Sequence, residues 1–333
     1  MIKILVIFFV LLITANQTFS IERKDHSITP LRFVVLSDIH IYTSGRIPAL
    51  APKAVEHIKS LSPDLVLITG DHTNGNRGDG VSLTKVRTWY KSLDKLLGPL
   101  FMANIPVIPV VGNHDFYRKP HREGYKEWAS KTISNAFSHL EINAPSNPLF
   151  FNFTLKSNEF FIFNLWQQII STSQKEWMIK NLQKPENVIH RFGFGHVPLK
   201  SSMGRTSTGF FKTGSKLFDE MDLDIYFCGH EHLHWDESNS LYPNLRQIIV
   251  GTTSGTYNFP IRKDLVQLHC ESNNTCKMPY TKSIFQIKKT AKGAGQQVNK
   301  QNWILVTVDK NGVQTQSFTL NSSGKVTSFF IQD

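Results

Sequence analysis

Short apolar runs in this chain end, one after another, in small clusters of carboxylate, imidazole and amide side chains. The run 31–36 leads into Asp38-Ile39-His40, and the run 65–68 leads into Gly70-Asp71. Apolar runs of this length, bounded by polar or turn-forming residues, are typical of buried strands. The repetition predicts a sheet whose strands deliver polar side chains to one edge.

A helical pattern separates the first two runs. Apolar residues recur at helical spacing over 50–61, and Pro63 follows, which predicts a helix between the strands. A strand, a helix and a strand in this order form a βαβ unit, whose strands run parallel with a right-handed crossover. Asp38 and Asp71 should then emerge at the carboxyl edge of the sheet, where α/β folds carry their sites.

The pattern continues through the first half of the chain. A second helix is predicted over 83–97 and should stop at Gly98-Pro99, because proline interrupts helical hydrogen bonding. A third strand over 106–111 then leads into Gly112-Asn113-His114-Asp115. The region 117–147 is predicted to be helix or loop.

The second half adds two further ligand clusters. A strand is predicted over 159–166, followed by a helix with Ser173 as its N-cap. Two later apolar runs lead into Gly195-His196 and into Gly229-His230-Glu231-His232. Since both halves contribute ligands and no linker divides them, we expect one domain over 30–333 with its site between two sheets.

The end of the chain has an alternating pattern. Residues 303–309 and 313–320 flank the turn Lys310-Asn311-Gly312. Two alternating segments joined by a short glycine-containing turn predict a β-hairpin. The predicted domain therefore ends in a hairpin region.

Charge and composition limit the partners. The chain has 40% hydrophobic residues and 24 phenylalanines, enough for a large core, and a formal net charge of +11. A basic balance favours anionic partners such as phosphorylated substrates, nucleic acid or anionic membranes. No run of five or more Lys/Arg and no nucleic-acid signature is present, so a solvated basic surface is favoured.

The first twenty residues have the pattern of a secretory signal. Lys3 precedes the apolar stretch 4–15, and Thr18-Phe19-Ser20 offers small residues for cleavage. An uncleaved anchor is the alternative, but the apolar stretch is shorter than the roughly 20 residues that span a bilayer. No other stretch reads as transmembrane, so we expect a secreted protein or one in an endomembrane or lysosomal lumen.

The cysteines and the sequons agree with export. Cys270 and Cys276 lie close together in a polar segment and are able to form a small disulfide loop, whereas Cys228 lies in an apolar run and is predicted to be a buried free thiol. Predicted glycosylation sites are Asn152, Asn273 and Asn321.

The ligand types indicate a metal centre. Oxygen and nitrogen ligands at several strand ends suit two adjacent ions, and such a pair suits in-line displacement at a phosphoester. The carboxylate of Asp71 has two oxygens and is our candidate for a bridging ligand. His230 and His232, two residues apart, are able to serve neighbouring ions. No cysteine belongs to the set, which argues against a closed structural zinc site, and Mn, Fe or Zn all accept these ligands.

The five clusters in this order resemble the calcineurin-like metallophosphoesterase superfamily over residues 31–253, and the resemblance is expected to extend over the whole mature chain. The resemblance implies an α/β fold, a four-layer α/β/β/α sandwich, with two divalent or trivalent transition-metal ions between its sheets. It implies that one ion is held by Asp38, His40, Asp71 and His232, and the other by Asp71, Asn113, His196 and His230.

The resemblance also implies roles beside the ions. His114 would contact the phosphoryl oxygen or the leaving group, and Asp115 would orient His114. Asn113, His114 and Arg205 are the predicted substrate-binding residues. The neighbouring His72 and His234 are predicted to support the site from outside or to face solvent.

Two residues separate this chain from the purple acid phosphatase branch, which it otherwise resembles. That branch has Gly at the position of His40 and a metal-bound Tyr at the position of Asn74. Without that Tyr no purple charge-transfer colour is expected. The chain therefore resembles the Asp-x-His type of phosphoesterase.

The predicted function is hydrolysis of phosphate esters by in-line attack of a metal-bridging hydroxide. The substrate would be a phosphorylated small molecule, nucleotide or lipid. One alternative is a phosphodiesterase acting on cyclic nucleotides or phospholipid headgroups. The loops 117–147 and 197–211 would determine whether the substrate is a monoester or a diester. The other alternative is a non-catalytic scaffold that binds metal.

Overall fold

The computed structural model of the chain describes residues 30–200, 207–242, 245–253, 301–320 and 323–329. The predicted signal segment, Arg205, and the residues Cys270, Cys276, Asn273 and Asn321 lie outside this part of the chain. Within it, two mixed six-stranded sheets form the centre of the molecule.

The first sheet joins the beginning of the described chain to its end. Its strands are β1 (Leu31–Leu36), β2 (Leu65–Ile68), β3 (Val107–Pro109), β10 (Asn302–Asp309), β11 (Gly312–Leu320) and β12 (Val326–Phe329). They lie in the order β12-β11-β10-β1-β2-β3, with β1, β2 and β3 parallel as the βαβ pattern predicts. Strands β10 and β11 form the predicted hairpin, and β10 pairs antiparallel with β1.

The second sheet is built from the middle of the chain. Its strands are β4 (Phe151–Leu155), β5 (Asn158–Ile162), β6 (His190–Phe194), β7 (Ile225–Cys228), β8 (Trp235–Tyr242) and β9 (Leu245–Ile249). They lie in the order β4-β5-β6-β7-β9-β8. The inner strands β5, β6, β7 and β9 are parallel, whereas β4 and β8 are antiparallel at the two edges.

Aromatic side chains pack the two sheets face to face. Phe33 on β1 makes edge-to-face contacts with Phe160 on β5 at 5.3 Å and with Phe192 on β6 at 5.2 Å between ring centroids. Phe161, the next residue along β5, belongs instead to the core on the opposite face of the second sheet. Side chains of a strand alternate between its faces, so the continuous apolar runs supply two cores at once.

Helices cover the outer faces and complete four layers. The helices are α1 (Ala51–Ser60), α2 (Leu83–Met102), α3 (Lys119–His139), α4 (Thr172–Lys180) and α5 (Thr208–Glu220). The first three pack into the core of the first sheet, and α4 and α5 pack on Phe161 and its neighbours. The predicted α/β/β/α sandwich is confirmed. Among the described residues, none of the helices has both the length and the apolar character to cross a membrane.

Helix α2 does not stop where the sequence predicts. It continues through Pro99 to Met102. An interior proline costs about 3 kcal/mol of helix stability, whereas each fully buried leucine contributes about 1.5–3 kcal/mol. Leu97 and Leu100 are both fully buried on either side of Pro99, and their burial offsets the lost hydrogen bond.

Three smaller predictions meet different outcomes. Cys228 is buried on β7, as predicted. Helix α4 is capped by Ser171, whose hydroxyl accepts a hydrogen bond from the Gln174 amide, and not by Ser173. The Asn152 amide is not free at the surface, because its Nδ2 donates to Glu159 Oε1 at 2.7 Å and to Asn181 Oδ1 at 3.3 Å.

Candidate metal centre

The carboxyl ends of strands from both sheets meet at one place. The chain after β1 and β2 carries Asp38 and Asp71, and the chain after β6 and β7 carries His196 and His230. Hydrogen bonds join the sheets here, since the His230 amide donates to Asp38 Oδ2 at 3.0 Å and His196 Nδ1 donates to the Thr69 carbonyl at 2.8 Å. The predicted ligand clusters are therefore brought together between the sheets.

Two glycines allow this close approach. A Cβ on Gly112 would lie 2.1 Å from the backbone nitrogen of Asp71, and a Cβ on Gly229 would lie 1.9 Å from Ser37 Oγ. Real Cβ atoms do not come this near to backbone or to a rigidly held hydroxyl. These two glycines, which precede Asn113 and His230, are thus required by contact between neighbouring strand ends.

The ligand residues have strained backbone. Left-handed φ angles, which only glycine adopts freely, occur at Asp38 (51°), His40 (53°), Asp71 (51°), His230 (72°) and His232 (54°). Each such residue costs on the order of 1 kcal/mol and persists only where the surrounding structure enforces it. Strain gathered at one point of a fold favours a functional site over a purely structural one.

Site A comprises Asp38, His40, Asp71 and His232, all of them buried. The Nε2 atoms of His40 and His232 lie 3.0 Å apart, and His232 Nε2 lies 3.1 Å from Asp38 Oδ1. His40 Nε2 lies 3.8 Å from Asp71 Oδ2. These four side chains point their ligand atoms at a common position.

Site B comprises Asp71, Asn113, His196 and His230. His196 Nε2 lies 3.3 Å from Asp71 Oδ2 and 3.0 Å from Asn113 Oδ1. His230 Nδ1 lies 2.8 Å from the same amide oxygen. The carboxylate of Asp71 belongs to both sites, and its other oxygen, Oδ1, accepts a hydrogen bond from the His114 amide at 2.8 Å.

The two sites fit transition-metal ions. Nitrogen and oxygen ligands lie about 2.1 Å from such an ion, so two ligands of one ion are separated by about 3.0–3.5 Å. The separations in sites A and B, from 2.8 to 3.8 Å, lie within or close to that spacing. His196 already donates its Nδ1 proton to Thr69, which leaves Nε2 free to bind an ion, as in most metal-binding histidines. The donor set of carboxylate, imidazole and amide suits Mn, Fe or Zn.

Burial and charges inside the centre shift the pKa values of its side chains. Burial works against ionisation of Asp71, but the charges of His196 and His114 outweigh it and hold the pKa of Asp71 well below its usual range. Burial also works against protonation of His196, but Asp71 outweighs it and raises the pKa of His196 to about 9. Burial and the charge of His196 lower the pKa of His230 to about 4.

His114 stands at the open side of the centre. Its side chain is 25% exposed, and its Nε2 lies 3.7 Å from Asp71 Oδ2. Its Nδ1 donates a 2.5 Å hydrogen bond to the backbone carbonyl of Asn74. The ring is therefore oriented by backbone, with Nε2 directed to the ligands, in a place that a substrate is able to reach.

The predicted contact between Asp115 and His114 is not formed. The buried Asp115 carboxylate accepts hydrogen bonds from the backbone of Gly112 and Thr73, from both nitrogen donors of His72, and from the Tyr90 hydroxyl. Asp115 thus ties the loop after β3 to the chain after Asp71 and to α2. It holds the ligand-bearing loops in place, whereas the Asn74 carbonyl orients His114.

Of the two alternatives predicted for His72 and His234, the structure removes the solvent-facing one, because both side chains are buried and His72 is bound to Asp115. Tyr117 was not predicted, yet its hydroxyl accepts a hydrogen bond from the Asn113 amide nitrogen. Its position two residues after a ligand cluster was the only signal in the sequence.

Comparisons with known proteins agree with this geometry. Residues 31–234 match the family described as calcineurin-like phosphoesterase. The chain is 24% identical over 207 residues to the mouse (Mus musculus) protein named Transmembrane protein 62, in a match that covers 59% of this chain and 31% of the relative. The chain thus spans about a third of the length of that curated relative.

Two solved structures share the fold. One is a purple acid phosphatase, PPD1, from yellow lupin (Lupinus luteus) seeds, with a TM-score of 0.56 and 14% identity, covering 90% of this chain and 53% of that one. The other is GAP50, the anchor in the inner membrane complex of Plasmodium, with a TM-score of 0.53 and 14% identity, covering 91% and 90%. At these identities the likeness is one of fold alone.

Proposed function

Because the chain belongs to the calcineurin-like phosphoesterase family, we propose that it is a hydrolase of phosphate esters that binds one transition-metal ion in site A and one in site B. The observation that carries the proposal is the convergence of two ligand groups on the shared carboxylate of Asp71. The two ions, when bound, supply activation of water and neutralisation of charge on the phosphoryl oxygens.

The side chains around the ions have separate tasks. Asp38, His40 and His232 complete site A, and Asn113, His196 and His230 complete site B. The Asp71 carboxylate keeps the sites adjacent, since one of its oxygens is held by the His114 amide and the other faces both ligand groups.

His114 is the proposed proton donor to the leaving group. Its Nδ1 proton is committed to the Asn74 carbonyl, so Nε2 is the atom that faces substrate. With a second proton on Nε2, a ring held in this way would donate that proton, or a hydrogen bond, to the leaving oxygen as the ester bond breaks. His114 is partly exposed, which allows that contact.

The substrate class is proposed as a phosphorylated small molecule, nucleotide or lipid. A formal net charge of +11 favours anionic partners. Arg205, the other predicted substrate-binding residue, lies outside the described residues, and its role stays a prediction. A monoester and a diester are both compatible with the ligand set.

We also propose an exported protein, in a secretory or lysosomal lumen or outside the cell. The proposal is supported by the signal pattern in residues 1–20 and by the sequons. Sequencing the amino terminus of the protein recovered from its host tests it, because cleavage near Ser20 is expected. An intact Met1 would contradict cleavage.

The decisive experiment combines metal analysis with two model esters. Purified protein should contain transition metal, and should hydrolyse p-nitrophenyl phosphate or bis-p-nitrophenyl phosphate when Mn, Zn or Fe is added. The ratio of the two rates separates a monoesterase from a diesterase. Active protein without transition metal would refute the two-ion centre, and bound metal without hydrolysis of either ester would favour a metal-binding scaffold.

His114→Ala tests the role of the proton donor. We expect metal content to persist while kcat falls about 10²–10⁴-fold, the usual contribution of general acid catalysis. His139→Ala is the matched control, because His139 is exposed at the end of α3, away from the centre. Turnover of His114→Ala near that of the control would contradict the assigned role.

A further inference from the structure

The hydroxyl of Tyr117 lies directly behind one proposed ligand of site B. Asn113 Nδ2 donates a hydrogen bond to this hydroxyl at 3.2 Å. At the other end of the same amide, Oδ1 lies 3.0 Å from His196 Nε2 and 2.8 Å from His230 Nδ1. An amide has a donor end and an acceptor end, so a partner that holds the nitrogen also fixes the oxygen toward the site.

Tyr117 is itself held by the chain that follows Asp71. The guanidinium of Arg77 lies 4.8 Å over the Tyr117 ring, and the His114 ring also contacts Tyr117, at 4.7 Å between centroids. Gly75 has a φ of +56°, and a Cβ there would lie 3.1 Å from the Tyr117 ring. Because Gly75 has no Cβ, this segment packs closely against Tyr117, which lies on the same loop as Asn113.

We propose that Tyr117 is a positioning residue that sets the orientation of the Asn113 amide and thereby the affinity of site B for its ion. The inference rests on the proposed function, because it requires Asn113 to be a ligand. A neutral amide is a weak ligand and rotates freely about its last bond unless something holds it. Partners behind metal ligands typically change metal affinity about 10–100-fold when they are removed.

The test is a titration of metal-free protein with Mn²⁺, followed by calorimetry, which resolves the two binding steps. Tyr117→Phe keeps the ring and its packing but removes the hydroxyl. We expect the site B ion to bind about tenfold more weakly while the site A ion binds as before. Tyr42→Phe is the matched control, because Tyr42 also lies under an arginine, Arg46 at 4.5 Å.

A double substitution distinguishes positioning of the Asn113 amide from a general loss of order in the loop. If Tyr117 acts through Asn113, Tyr117→Phe should cause no further loss in an Asn113→Ala background. Unchanged site B affinity in Tyr117→Phe, an equal loss at both sites, or an undiminished further loss in the double variant would each overturn the inference. Wild-type protein that binds fewer than two ions would instead overturn the proposed function together with it.

Discussion

Sites A and B share a carboxylate but differ in charge and in access to solvent. Site A has two carboxylates and two imidazoles, and all four residues are buried. Site B has the shared carboxylate, a neutral amide and two imidazoles, and Asn113 and His230 are partly exposed. More negative charge and less water favour a tightly held ion in site A, whereas the ion in site B should exchange more readily.

The two sites also differ in how much backbone strain they contain. Asp38, His40 and His232 of site A all have left-handed φ angles, whereas His230 is the one such residue among the three ligands that belong to site B alone. Strain of this kind is maintained only by surrounding structure. Site A is therefore the more rigidly built of the two, and site B depends more on side-chain contacts such as that of Tyr117.

The largest expected effect comes from removing what the sites share. Asp71→Asn replaces the carboxylate that faces both ligand groups with a neutral amide. We expect both ions to be lost and hydrolysis to fall by more than about 10³-fold, because a mechanism that uses two ions requires both of them to be bound. Metal analysis and ester hydrolysis check this. Retention of one ion at full affinity would show that Asp71 does not bridge the sites.

A second pair of variants separates the sites. His232→Ala should weaken binding of the ion in site A, and His230→Ala binding of the ion in site B, each by roughly 10²-fold or more. Loss of a residue behind a ligand already weakens metal binding by up to about 100-fold, and loss of the ligand itself should weaken it at least as much. Calorimetric titration of both variants with Mn²⁺ compares them directly. If either substitution weakened both ions equally, the division of ligands between the sites would be wrong.

The smallest expected effect is a difference in pH dependence. His196, with its pKa raised to about 9 by Asp71, is protonated in metal-free protein at neutral pH and must lose that proton to bind. Burial lowers the pKa of His40, which is neutral there already. Affinity at site B should therefore fall as pH falls below about 9, approaching tenfold per pH unit.

Titrations with Mn²⁺ at pH 6.5, 7.5 and 8.5 measure this difference. Site A should change less over the same interval, since the carboxylates of Asp38 and Asp71 remain ionised and His40 stays neutral. Proton release, measured in buffers of different ionisation enthalpy, should accompany binding at site B. Equal slopes at the two sites would contradict the assignment of His196 to site B.

The residues of both candidate sites were predictable because each belongs to a local pattern. Asp38, Asp71 and His196 each follow an apolar run, and short runs of this kind fold into strands whose ends meet. A glycine before the ligand was a further local sign, explained by the contact between Gly112 and Asp71. The division of these residues into two groups came from the family resemblance and not from the local pattern.

Features that depend on tertiary contacts were less predictable. Asp115 lies next to His114 in the sequence, but its partners come from α2 and from the chain after Asp71. Pro99 reads as a helix stop, yet the buried leucines around it keep α2 intact. In each case packing between distant segments outweighs the local preference.

The pairing of β1 with β10 has a consequence for biosynthesis. Leu31 lies opposite Val308, so the strand that precedes Asp38 acquires its second neighbour only after residues 302–309 have been synthesised. The hydroxyl of Thr252 likewise donates to the Asp38 carbonyl at 2.8 Å. All seven proposed ligands precede β10 in the sequence, so a nascent polypeptide on the ribosome carries them before the strand that flanks β1 has been made.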